Sequence, residues 1–298
     1  MAEESEIIYD NWNDLVCYCR NNFPTVLPGK GTDWIFRGEH KVFPALTTSL
    51  ERETKKSFGT LDRMPELEQR LLREFKRKLH HYARDIPDDN DTLEWLALMR
   101  HYMAPVRLLD WNYSFFVALF FAIENAEWDD ELSENDNVCI VHALKQDAFD
   151  GFNMLTPWEK IKIRQRINKL KKCTLANKNE EYLNRRALFD HLQNNPKLLI
   201  HPVNPFRLNE RLSIQQGLFM VPGDTRKGFE DNLKAHTDYE ENHKQIKISS
   251  SLTVRRNFLR ELNRMNINRV TLFPDIQGFA ESLKTFLAIQ WFKNETTI

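Results

Sequence analysis

Glycine is scarce, with nine residues in a chain of 298. Neither GxxxxGK nor GxGxxG occurs, so the chain has no glycine-rich loop with which to cradle a phosphate. HExxH, GxSxG and CxxC are also missing, which removes the usual zinc, serine-hydrolase and dithiol routes. The four cysteines, Cys17, Cys19, Cys139 and Cys173, are scattered and read as reduced thiols of a cytosolic protein. His80 and His81 are neighbours, not an i, i+4 pair, so no metal site is expected. No apolar run reaches the about 20 residues that a membrane span needs. The opening MAEESEIIYD is acidic and lacks a signal-peptide core. A cytoplasmic location without a membrane partner is therefore expected. The formal net charge of −1 gives no bulk argument for a nucleic-acid partner, although it leaves room for a local basic groove.

What is present begins with Phe115–Ile123, the longest apolar run. A helix over 114–126 that is apolar all round must lie inside the protein, and Asn112 or Ser114 is placed to cap it. Arg107 and Asp110 stand just upstream, where Arg107 either pairs with Asp110 or waits for an anion. Around this helix the pattern alternates between strands and amphipathic helices. Apolar spacing predicts helices over 8–22, 65–83, 92–103, 157–193 and 255–268, with a further helix at the C-terminal end. Pro24 and Pro28-Gly29 break the chain after the first helix. Trp34–Phe36, 138–144, 198–203 and 211–224 read as strands, the last interrupted by Gly217, and 244–249 alternates as an edge strand does. Residues 43–53, including TTSLERE, read as irregular. The basic face of 65–83 reads as solvated, and KIKIRQRINKLKK is the most basic stretch of the chain. The expectation is a single domain over 1–298, α+β, with a mixed sheet, a buried central helix and a helical insertion at 157–197.

Three constellations place polar groups on apolar strings. Arg37 closes the strand WIFRGEH, where a guanidinium fork suits phosphate or carboxylate, and Gly38 permits close approach of a ligand or another backbone. His101, Tyr102, Arg107, Asp110 and Trp111 gather at the mouth of the buried helix. Arg211, Gln215, Gln216 and Gly217 interrupt RLSIQQGLF. For each arginine an internal bridge to a carboxylate competes with ligand binding.

WIFRGEH, HYMAPVRLLDWNYSFFVALFFA, RLSIQQGLF and LFPDIQG, in that order, resemble the motifs of the FRG-domain family, named for its Phe/Tyr-Arg-Gly tripeptide, here Phe36-Arg37-Gly38. The middle motif follows a pattern like H-x-x-x-P-T-R-L-L-D-W-T through His101, Pro105, Arg107, Asp110 and Trp111, with Val106 and Asn112 replacing threonines. A strand ending in Arg-Gly, followed by Thr47, Thr48 and Ser49, is in turn similar to the opening of ADP-ribosyltransferase folds. That second resemblance implies a nucleotide-using transferase with NAD as substrate and no metal. Arg37 would clamp the pyrophosphate and Gln215 would lie near the reacting ribose. His101 and Arg107 would line the pocket, with Asp110 fixing Arg107. Gly38, Ser49 and Arg211 complete the implied cofactor-binding set, and Glu210 is the nearby carboxylate. The implied acceptor is a macromolecule, nucleic acid or protein. A toxin or antiphage role, with an antitoxin or defence partner, fits such an activity. The alternative is a non-catalytic nucleic-acid or nucleotide-binding module in which Trp34 or Trp111 stacks on a base.

Overall fold

The computed structural model describes residues 7–24, 33–83, 86–133, 136–172, 180–206 and 210–290. Its architecture is α+β, with a mixed sheet and many helices. In chain order the elements begin with β1 (Ile8–Tyr9), α1 (Trp12–Asn22), β2 (Trp34–Glu39), α2 (Ser49–Phe58), α3 (Met64–Leu79) and α4 (Thr92–His101). There follow β3 (Leu109–Asn112), α5 (Phe115–Glu124), β4 (Val138–Lys145), α6 (Pro157–Lys172) and α7 (Glu180–Asn194). Next come β5 (Ile200–Val203), α8 (Glu210–Ile214), β6 (Gly217–Pro222), α9 (Phe229–Lys234), α10 (Tyr239–Asn242) and β7 (His243–Ser249). The chain closes with α11 (Leu252–Arg264), α12 (Arg269–Leu272) and α13 (Ile276–Gln290). Among the described residues no helix is long and apolar enough to cross a membrane. The predicted break at Pro28-Gly29 and the thiol of Cys173 lie outside the described residues.

The seven strands run in the order β1-β7-β4-β2-β3-β6-β5, antiparallel throughout except for β1 beside β7. The apolar helix is α5, and Ser114 caps it by accepting from the Val117 N–H at 3.4 Å. It packs across β2, with α11 on its outer side. Alternation along β2 sends Phe36 and Gly38 toward α5, while Ile35 joins the opposite face with Leu109 and Trp111 of β3. Gly38 is what lets helix and strand meet so closely: a Cβ there would lie 1.9 Å from the Ala118 carbonyl oxygen. Its close neighbour is therefore the backbone of α5. A third apolar cluster joins α4, α6 and α7 to β6.

Five sequence expectations change. Ile8 and Tyr9, read as the start of the first helix, form the strand β1. LLDWN is not a lead-in to the buried helix but the strand β3, so Asp110 is not at the helix dipole. With only four residues, its period of two is too short to stand out. RLSIQQGLF is split: α8 ends before Gln215, Gln216 turns at φ 50°, and β6 starts at Gly217. The TTSLERE segment begins α2, where Thr48 accepts from the Glu51 N–H at 3.1 Å; the Thr-x-x-Glu spacing was the overlooked signal. Finally, β7 is interior to the sheet along the two residues covered by β1.

Candidate functional site

A hollow of about 310 Å3 opens between the α5 face of the sheet and the helices that close over it. Strand β2 contributes Arg37, and the last turn of α4 contributes Arg100 and His101. Asp110 and Asn112 alternate onto its floor from β3, and Glu124 enters from the last turn of α5. Arg211 and Gln215, one helical turn apart, come from α8 and the residue after it; α12 adds Arg269 and, just beyond, Phe273.

The lining carries four guanidinium groups against two carboxylates. Arg37 donates to the Asp110 carbonyl oxygen at 2.9 Å and to Glu39 at 3.3 Å. Arg100 clasps the Asp110 carboxylate, with Nε at 2.8 Å. Burial pushes the Asp110 carboxyl up, but Arg100 outweighs it, with help from Arg37, and holds the group below its ordinary value. Arg269 bridges Glu124 and Glu281. Glu124 is 5% exposed, and burial keeps its carboxyl above the ordinary value despite Arg269. Arg211 differs from the others: among the described residues it has no carboxylate within ion-pair distance. It lies over the Phe273 ring, 4.1 Å from the centroid, and Arg269 lies over the same ring at 4.6 Å. Burial lowers the Arg211 pKa first, and Arg100 and Arg269 lower it further against the pull of Asp110 and Asp275. Burial and then Arg211 lower that of His101. A polyvalent anion meeting Arg211 relieves that concentration of positive charge.

Residues 32–131 match the family model for the FRG domain. The chain carries an FRG domain. No curated protein and no solved structure matches the chain. The matched stretch supplies Arg37, Arg100, His101, Asp110 and Glu124 to the hollow, whereas Arg211, Gln215, Arg269 and Phe273 come from beyond it. The FRG tripeptide thus has two placements: Gly38 seats α5, and Arg37 ties β2 to β3 at the edge of the hollow.

Of the residues singled out in the sequence, Arg37, Gly38, His101, Asp110, Arg211 and Gln215 line this one hollow. Gln215 fastens it, donating to the Leu272 carbonyl at 2.9 Å and accepting at its own carbonyl from Asn112 at 3.1 Å. Arg107 lies elsewhere. Its Nε is 2.8 Å from both oxygens of Glu68, and the two side chains are 8% and 5% exposed. Asp110 therefore does not fix Arg107; Arg100 holds Asp110. Glu68 falls on the apolar stripe of α3, with Leu72, Phe75 and Leu79 at helical spacing, and a carboxylate there needs an internal cation. Ser49 is also outside, its hydroxyl clipped to the N–H and carbonyl of Val106 at 3.1 and 3.2 Å. Glu210 is exposed and does not line the hollow. Trp111 is 0% exposed on the opposite face of the sheet, so it cannot stack on a base; Trp34 packs against Phe23.

Arg100, Glu124, Arg269 and Phe273 were missed by sequence reasoning. Two left a trace: Glu124 is the charge that ends the apolar run, and Phe273 belongs to LFPDIQG. In that motif a Cβ on Gly278 would lie 2.1 Å from the Phe273 carbonyl oxygen, so the glycine lets α13 press against the residue that carries the ring. Among the described residues no group of three or more His, Cys, Asp or Glu side chains is placed to hold a metal ion.

Proposed function

We propose that the hollow binds a nucleotide through its phosphates and that the protein is a nucleotide-using transferase, moving ADP-ribose from NAD to a macromolecular acceptor. The observation that carries this reading is Arg211, a half-buried guanidinium stacked on Phe273 with no carboxylate of its own among the described residues. Bidentate bonds from Arg211 take the phosphate, and Arg37, Arg100 and Arg269 add their field. Glu124, the buried carboxylate of the lining, stabilises the oxocarbenium-like ribose carbon. The C–N bond breaks with its electron pair going to nicotinamide. The acceptor nucleophile then bonds to the ribose carbon, and its proton passes to the Glu124 carboxylate.

A second reading has an observation of its own. Asp110 and Glu124 are each bridged to an arginine. That arrangement suits a binding module that holds a nucleotide without turning it over. Incubation of the purified protein with labelled NAD and RNA, DNA or cell protein separates the two. Transferred label that disappears in Arg211→Ala and Glu124→Gln, with folding intact, supports the transferase. Tight ADP-ribose binding with no NAD consumed supports the binding module.

A further inference from the structure

Helices α3 and α6 both expose many cations, and they treat them differently. On α3 four of the six cations within the helix or just before it are matched to carboxylates: Arg63 and Arg70 to Glu66 at 3.6 and 3.8 Å, Arg77 and Lys78 to Glu74 at 3.0 and 3.6 Å. Helix α6 holds seven cations and one carboxylate, Glu159, which is already taken by Lys197 at 3.2 Å. Arg166 and Lys171 find acids on α7. Lys160, Lys162, Arg164, Lys169 and Lys172 are exposed and have no carboxylate partner among the described residues.

Their placement is ordered. Steps of four, three, four and three residues put Trp158, Lys162, Gln165, Lys169 and Lys172 on one outward stripe of α6, about 21 Å long at ~1.5 Å per residue. Trp158, at the start of the stripe, is 64% exposed, and the Lys162 ammonium lies 5.6 Å from its ring centroid. The opposite side of the helix, Ile163 and Ile167, is buried in the apolar cluster that α6 shares with α7. That burial leaves Trp158 and Ile161 as the exposed large apolar side chains of α6, too narrow a face to insert into a lipid surface. An acidic peptide offers the lysines a counter-charge but the indole no flat ring. A single-stranded nucleic acid offers both, phosphates along its length and a base to stack.

We propose that the outward stripe of α6 is a docking surface for single-stranded nucleic acid, with Lys162, Lys169 and Lys172 on successive phosphates and Trp158 stacked on a base. The inference rests on α6 alone and not on the reading of the hollow. Titration of labelled oligouridylate and oligothymidylate with the full chain, without NAD, tests it over a range of salt. Affinity falls steeply with salt. The Lys162→Gln/Lys169→Gln/Lys172→Gln variant flattens the logarithmic slope by about 2, at roughly 0.7 per lost phosphate contact. Trp158→Ala weakens binding by about fivefold or more at every salt concentration. Arg70→Gln/Arg77→Gln on α3 changes it by less than about twofold. The proposal is overturned if neither oligonucleotide binds at low salt, or if the triple variant binds as the parent does. It is equally overturned if polyglutamate or anionic vesicles bind α6 as tightly as the oligonucleotides.

Discussion

Arg107 lies buried between α3 and the segment leading into β3, with its guanidinium on Glu68. Arg211 lies half-buried on α8, over Phe273, with no carboxylate within ion-pair distance among the described residues. Both side chains are set among apolar neighbours, and Arg107 even lies over a ring of its own, Phe189, at 5.6 Å. The difference is the counter-charge. Glu68 makes the first site a finished internal bridge, which serves the folded state. The second site lacks one, so its positive charge remains available to a ligand.

The largest effect comes from breaking the finished site. Glu68→Ala leaves Arg107 buried and uncompensated, and chemical denaturation is expected to show a loss of about 3–5 kcal/mol. Replacing both partners with leucine or methionine recovers most of that loss, because the uncompensated charge leaves with its partner. Gly38→Ala follows. Its Cβ meets the Ala118 carbonyl, so α5 must shift away from β2, at a cost of about 1–3 kcal/mol read in the same assay. Arg211→Ala, by contrast, is expected to leave unfolding within about 0.5 kcal/mol of the parent, since it removes no internal bridge.

A further effect is one of pH, and it sharpens the comparison by lying in a third region. His243 stacks on His142 at 5.3 Å between centroids, and burial, then His142, then Lys234, push its pKa down to about 3. The unfolded chain takes up this proton near the ordinary value of 6.5, before the folded one does. Stability therefore falls as the pH drops from about 6.5 toward 3. His243→Gln should flatten that part of a Tm-versus-pH curve.

Much of the fold was legible because its elements repeat a pattern for long enough. The α5 run, the α3 stripe and the near-continuous apolar run of β4 each carry their own signal. β3 did not, being four residues long, and the α8–β6 join was hidden because Gln216 turns the chain at a non-glycine residue. The hollow was legible only in part. His101, Asp110 and Gln215 stood out as polar groups on apolar strings. Which acid neutralises which arginine is a tertiary matter. Glu68 reaches Arg107 across 39 positions and Arg269 reaches Glu124 across 145. Glu68 gave a hint, as a carboxylate on an apolar helix face. Arg100 gave none, being one of several cations at a helix end.

The account stands on Arg211 as a cation kept for an anionic ligand. Calorimetric titration of NAD and ADP-ribose into the parent and into Arg211→Ala tests this most directly. The account predicts saturable binding to the parent and a loss of about tenfold or more in the variant, in keeping with charge-assisted bonds worth roughly 1.5–3 kcal/mol, with the melting temperature unchanged. Equal binding to both proteins, or none to either, would contradict it.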